Sequence, residues 1–260
     1  MRYREHAPGD ALAALVRCYW TVTGAGSPTT PVNRVLPDGC MDIIFDLRSG
    51  VQRGVVVGAM LEASVFHMLG PLDMLGVRFV PGAAPLFLGS DASELTTQIV
   101  PADNVWRDAD ELAGQLFECG DHSRRLQILN EALLRRLQRQ RAQPAALQGM
   151  ALIERAHGQL RLDLLCRSLN VSERTLQRTF ASQVGLTPKQ AIRIMRFRGA
   201  LQLMHIEPRA TLAQVALRSG YADQAHFTRE FRELAAATPA EFRRETGLVG
   251  FVQDGDSATT

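Results

Sequence analysis

Along the first hundred residues the apolar positions fall in short runs between turn formers. The runs cover 32–36, 41–47, 55–57, 64–69 and 75–80. The breakers between them are Gly24, Gly26, Pro28, Pro31, Pro37-Asp38-Gly39, Ser49-Gly50, Gly70-Pro71 and Pro81-Gly82. Short apolar runs bounded by glycine and proline predict strands. Their spacing, near ten residues, suits a sandwich or a barrel. Residues 12–20 fit a strand or a short helix equally.

From about residue 91 the period changes. Asp91 and Glu94 have the spacing of a helix-capping box. Residues 108–118 read as a helix that stops at Cys119-Gly120-Asp121. In 123–141, Leu126, Leu129, Leu133 and Leu137 recur at three- and four-residue intervals, which predicts an amphipathic helix. That helix could join domains, pair with its copy in a dimer, or simply pack. Gln143-Pro144 marks a boundary, because the residue before proline disfavours helix. From 145 to about 247 the pattern is helical, and the tail after it, small and polar over 254–260, predicts disorder. The predicted class is α+β in two domains. A β-rich unit spans 1–100, a helical linker region 101–144, an all-α unit 145–247, and a flexible tail follows.

Composition sharpens this. The net charge of +2 hides an asymmetry: the balance is −7 over 1–121, +5 over 122–144 and +6 over 145–249. A basic half beside an acidic half suits a DNA-binding module joined to another domain. A solvated basic surface explains it as well. No apolar run reaches signal-peptide or membrane-helix length, so a cytoplasmic chain without a membrane partner is expected. Cys18, Cys40, Cys119 and Cys166 are too widely spaced for a zinc ribbon or a Cys-x-x-Cys redox site.

The informative feature is a repeat. Ser172-Glu-Arg-Thr-Leu-Gln-Arg-Thr-Phe180 and Asp223-Gln-Ala-His-Phe-Thr-Arg-Glu-Phe231 align at a shift of 51 residues. Leu176 then meets Phe227, Arg178 meets Arg229, Phe180 meets Phe231, and Thr187-Pro188 meets Thr238-Pro239. Each copy reads as a helix-turn-helix, at 161–184 and 211–235. A helix ends near a small residue (Cys166, Ala216). A turn follows at a residue tolerant of positive φ (Asn170, Gly220). An N-cap residue (Ser172, Asp223) then opens a second helix. The apolar pair four residues apart faces the core, and the other positions are polar and free to enter a major groove.

This stretch resembles the DNA-binding domain of the AraC/XylS family of bacterial transcription regulators. The strongest local match is Val215-Ala-Leu-Arg-Ser-Gly-Tyr-Ala-Asp-Gln-Ala-His-Phe-Thr-Arg-Glu-Phe-Arg232, continuing through Thr238-Pro-Ala-Glu-Phe-Arg243. Two departures stand out: Ala236 replaces a usual glycine, and Asn170 a frequent one. The resemblance implies seven helices and a long joining helix over 188–204, carrying Arg193, Arg196 and Arg198. It also implies two reading helices in successive major grooves.

The DNA-binding candidates are Arg174, Thr175, Gln177 and Arg178 in the first unit, and Gln224, Ala225, His226, Thr228 and Arg229 in the second. Arginine suits guanine O6/N7 and glutamine suits adenine N6/N7. Arg178 and Arg229 have a phosphate or an intramolecular carboxylate as the competing assignment. His226 has packing or capping. Thr187 and Thr238 fit helix capping as well as they fit a phosphate site.

Upstream, Arg34-Val-Leu-Pro-Asp-Gly-Cys-Met-Asp-Ile-Ile-Phe45, Gly76-Val-Arg-Phe-Val-Pro-Gly-Ala-Ala-Pro85 and Ala92-Ser-Glu-Leu95 resemble a cupin-like domain often found ahead of such units. The resemblance implies effector sensing or dimerisation. His6 and His67 stand far apart with no His-x-His, so no metal site is expected. Asp38, Cys40 and Asp42 lack a partner that would make them catalytic, and Gly24-Ala-Gly26 lacks the third glycine of a dinucleotide loop. No catalytic residue, cofactor or enzymatic activity is expected. The expected partners are double-stranded DNA, a small-molecule effector, RNA polymerase and a second copy of the chain. Two alternatives stay open. One is an architectural DNA-binding protein without an effector. The other is a redox-sensing regulator switched by Cys40 or Cys18, which needs an exposed thiol of low pKa.

Overall fold

The computed structural model describes residues 1–26, 33–51, 53–66, 70–137 and 144–246. Pro28, Pro31, His67, Gln143 and the tail 248–260 lie outside the described residues, as does the last part of the helix expected over 123–141.

Eight strands form the first half: β1 (Arg2–His6), β2 (Val16–Gly26), β3 (Asn33–Val35), β4 (Asp42–Asp46), β5 (Arg53–Val57), β6 (Ser64–Phe66), β7 (Gly70–Phe79) and β8 (Ile99–Pro101). Six make one antiparallel sheet in the order β1-β2-β7-β4-β5-β8, and β3 pairs with β6 in a separate ribbon. The undecided stretch 12–20 divides: a 3-10 turn at Asp10–Leu12 leads into β2, which bulges between Val16 and Cys18. In β4 the faces alternate, with Ile43 and Phe45 buried and Asp42, Ile44 and Asp46 half-buried. That is the pattern of a sheet with one face on a core.

Two short helices follow, α1 (Pro85–Leu88) and α2 (Ala92–Leu95). Asp91 stands at the N-cap of α2, but its side chain makes no capping bond. Next come α3 (Ala109–Cys119) and α4 (His122–Leu137). Both belong to the body of the first half and do not act as a spacer. Leu112, Ala113 and Leu116 of α3 are buried against β5, as are Leu129, Ala132 and Leu133 of α4 against α3 and α1. The Asn130 carboxamide oxygen accepts from Tyr19 Oη at 2.9 Å and Gly9 N at 3.2 Å. The leucine stripe of α4 is therefore spent inside the chain.

Seven helices complete the described residues: α5 (Pro144–Arg155), α6 (Leu162–Leu169), α7 (Glu173–Val184), α8 (Pro188–Ile206), α9 (Leu212–Arg218), α10 (Gln224–Ala235) and α11 (Pro239–Thr246). Thr187 caps α8 in a capping box with Gln190, with Pro188 in the first turn. A single apolar core runs from Leu12 through Phe45, Leu116 and Phe180 to Phe231 and Phe242. The β-rich part and the helical part are thus packed on each other.

The two upstream motifs meet in this packing. Asp42 pairs in register with Arg78. Arg78 Nε lies 3.3 Å from Asp42 Oδ1 and 3.8 Å from Asp38 Oδ2, and Trp20 Nε1 donates to Asp42 at 2.8 Å. Burial raises the Asp42 pKa, and the Arg78 charge pulls against that rise. The Pro37-Asp38-Gly39 turn faces Met195 of α8 and Met150 of α5. These motif residues therefore build an ion cluster under the helical domain.

Candidate nucleic-acid interface

Both repeats fold as two helices around a tight turn. In the first, α6 ends at Asn170, which adopts φ 52°. Ser172 then caps α7, its hydroxyl accepting from Thr175 N at 3.1 Å. In the second, α9 leads through Gly220 at φ 79°, where only glycine is unstrained. Asp223 then caps α10, accepting from His226 N at 2.7 Å. Leu176 and Phe180 of α7, and Phe227 and Phe231 of α10, are almost wholly buried. The one-sided burial leaves the remaining faces of α7 and α10 outward.

On those faces Arg174, Gln177 and Arg178 are exposed in α7, as are Gln224, Ala225 and Arg229 in α10. Among the described residues, none of the three arginines makes an ion pair. Their donors are therefore available to an outside acceptor. Gln177 Nε2 donates to Glu173 Oε1 at 3.0 Å, an exposed contact that water or a base could replace. Three further candidates have local partners. Thr175 is tied to the Ser172 cap, with their hydroxyl oxygens 2.9 Å apart. Thr228 Oγ1 donates to the Gln224 carbonyl at 2.8 Å. His226 is half-buried, edge-on to Tyr221 and 3.8 Å from Glu230 Oε2. Thr187 and Thr238 both cap helices, Thr238 Oγ1 accepting from Glu241 N at 3.3 Å and meeting Glu241 Oε2 at 2.8 Å.

The residue missed by sequence reasoning is Glu230, on the inward side of α10 and only 8% exposed. Arg196 Nη2 of α8 donates to its two oxygens at 3.1 and 3.0 Å, and Arg193 Nε lies 3.3 Å away. Arg193 also pairs with Glu233, and the Arg196 guanidinium sits 4.8 Å over the Tyr221 ring. Two arginines of the joining helix are thus spent on orienting the second reading helix. Only the recurrence of Arg at 193 and 196 together with Glu at 230 and 233 could have signalled this.

The repeats end differently. Gly185 closes α7 at φ 76°, whereas exposed Ala236 closes α10 at φ 53°. An L-residue with a Cβ is strained there by roughly 1–2 kcal/mol. Replacing Ala236 by glycine is expected to stabilise the protein by about 1 kcal/mol, since no buried contact is lost. Chemical denaturation checks this, and a decrease in stability contradicts it.

The cysteines do not suit a redox switch. Cys18 and Cys40 are buried. Burial, helped by Glu5, pushes the Cys18 thiol up to about 12. Burial and Asp38 push Cys40 well above the usual thiol range. Neither forms the thiolate that the chemistry requires at neutral pH. His6 stands apart from the nine candidate positions and meets His122, their Nε2 atoms 3.0 Å apart. Among the described residues no helix is long and apolar enough to cross a membrane.

Two paired helices around a capped turn, present twice, define a helix-turn-helix DNA-binding domain. Residues 165–245 match the family model described as a helix-turn-helix domain, and residues 4–101 match a domain of unknown function (DUF6597). Residues 165–245 are a helix-turn-helix domain of the AraC/XylS type. The chain is 30% identical over 95 residues to the HTH-type transcriptional regulator MtrA of Neisseria gonorrhoeae, covering 36% of this chain and 31% of that protein. It is 34% identical over 92 residues to the HTH-type transcriptional activator RhaS of Escherichia coli, covering 35% and 32%. The matches span about a third of these relatives' length. Among solved structures, the DNA-binding domain of AdpA in complex with a target DNA aligns with TM-score 0.35 and 26% identity, covering 38% of this chain and 89% of that one. ToxT from Vibrio cholerae aligns with TM-score 0.43 and 12% identity, covering 95% and 97%.

Proposed function

We propose that this chain is a sequence-specific, DNA-binding transcription regulator that reads two successive major grooves, one with α7 and one with α10. The observation that carries the reading is the doubled unit, which leaves Arg174 and Arg178 on one helix and Arg229 on the other exposed and, among the described residues, without an ion pair. Arg178 and Arg229 are the first choices for guanine edges, with Arg174, Gln177, Gln224 and Ala225 completing the contact faces. Thr175 and Thr228 shape those faces through their own intramolecular hydrogen bonds, and His226 through its packing on Tyr221. The β-rich part, of which 4–101 is one family unit, is the candidate for effector sensing or for contact with a second copy. RNA polymerase is the downstream partner that activation would require. The relatives' printed names, regulator and activator, agree with this reading.

The test is duplex-DNA binding by the purified chain over a range of salt. Affinity should fall steeply with salt, with a slope of about −0.9 per phosphate contact. A salt-independent interaction, or none with any duplex, would remove the proposal.

A further inference from the structure

The segment 58–63, between β5 and β6, reaches the C-terminal end of the second reading helix. Ala63 N donates to the Leu234 carbonyl of α10 at 2.8 Å. Arg34 of β3, the partner strand of β6, donates to Glu245 of α11 at 2.6 Å. Between these two anchors Glu62 is exposed and lines one open groove together with Gln224, Ala225, Thr228, Arg229 and Arg232. Four of those five α10 residues are the ones nominated to meet DNA. The segment is held on its other side by Gly58 N donating to the Gln98 carbonyl and Thr97 N to the Ala59 carbonyl, each at 3.0 Å.

We propose that this arrangement is a self-inhibited state, in which Glu62 and its segment occupy the approach that a DNA backbone must take to α10. The inference rests on reading α10 as a DNA-contacting helix. Two physical effects act together. The segment walls one side of the open groove in front of Gln224 and Arg229, narrowing the space left for a DNA backbone. The Glu62 carboxylate adds a negative charge to the groove that Arg229 and Arg232 also line, and among the described residues it closes no ion pair with either. It therefore repels phosphate while leaving the arginines unsatisfied and ready to exchange partners. The Ala63 bond is a single backbone contact, and the Arg34–Glu245 pair ends on a half-exposed glutamate. A contact of this kind can be released by a modest bias on the β-rich part, such as an effector or a second copy.

The experiment measures the affinity of full-length protein for a random-sequence duplex at fixed low salt. Four proteins are compared: wild type, Glu62→Ala, Glu62→Ala with Ala63→Pro, and Glu118→Ala. Proline at 63 removes the donor to Leu234. Glu118→Ala makes the same charge change on exposed α3, away from α10. An open state populated at roughly a tenth or less predicts a gain of about tenfold or more on release. The single variant should gain part of that and Glu118→Ala much less. Adding Arg229→Ala to the released protein should cancel most of the gain. Equal affinity for the released protein and wild type, or an equal gain from Glu118→Ala, overturns the inhibited state. If Arg229→Ala weakens wild type in that case, the reading of α10 survives; if it changes neither protein, that reading fails too. Should the double variant not fold, Glu62→Ala against Glu118→Ala still decides.

Discussion

Replacing Glu230 by alanine is expected to cost about 3 kcal/mol of stability and to uncouple the second helix-turn-helix from the joining helix. The carboxylate is buried, and it is the shared acceptor for Arg196 and Arg193. Removing it leaves two neighbouring guanidinium groups of α8 turned toward α10 without their shared acceptor. Losing one partner of a buried pair typically costs 3–5 kcal/mol, because the other charge stays desolvated. Arg193 and Arg196 keep some access to water, with side-chain exposures of 33% and 20%, which places the value at the lower end. The stacking of Arg196 on Tyr221 adds to the loss if the guanidinium turns away. Glutamine at 230 keeps the shape and one acceptor, so its cost should be clearly smaller. Denaturant unfolding of the three proteins checks this. A loss below about 0.5 kcal/mol for alanine would mean that α10 is positioned by Phe227 and Phe231 alone.

The second large effect concerns binding. Replacing both Arg178 and Arg229 by alanine is expected to remove roughly 1–3 kcal/mol of specific DNA affinity per residue. The two lie on different helices, so the losses should add to within a few tenths of a kcal/mol. Stability should hardly change, because both side chains are exposed and unpaired among the described residues. If each arginine reads a base, its removal relaxes preference at one position of one sub-site. If it holds a phosphate, affinity falls evenly across sequences and the salt slope drops by about one. Binding measured against a panel of single-base variants separates these outcomes.

The helical half was legible in the sequence because its signals are local. Caps at Ser172, Thr187, Thr211 and Asp223 accept from backbone amides three residues on. The core pairs Leu176/Phe180 and Phe227/Phe231 sit four residues apart, within one helix. Such features survive without knowledge of the rest of the chain. The strands β3 to β7 were legible as runs between breakers, but β1 and β8 were not, and Gly24, Gly26 and Gly70-Pro71, which read as breakers, lie within β2 and β7. The order β1-β2-β7-β4-β5-β8 was not, since β7 inserts between β2 and β4 from far along the chain. The leucine stripe of α4 could be read as linker, dimer face or packing face. Only the neighbouring α1 and α3 decide for packing.

The binding faces show the same division. Which residues of α7 and α10 point outward follows from helical period. Which outward residues are occupied does not. His226 and Glu230 are both polar on a reading helix, yet the structure turns them toward Tyr221, Arg193 and Arg196. The partners of Glu230 in α8 lie more than thirty residues upstream, and no local pattern encodes that distance. The position of Glu62 over α10 is further from view still. It depends on how a β ribbon meets a helix 160 residues later.

The central claim is that two units read DNA together, and the most direct test is selection of random duplexes by the full-length chain and by the Glu62→Ala variant. The account predicts one enriched motif with two sub-sites about one helical turn, roughly 10 base pairs, apart. Arg178→Ala and Arg229→Ala should each erase a different sub-site. A single undivided site unaffected by one of these substitutions, or no enrichment with either protein, would contradict it.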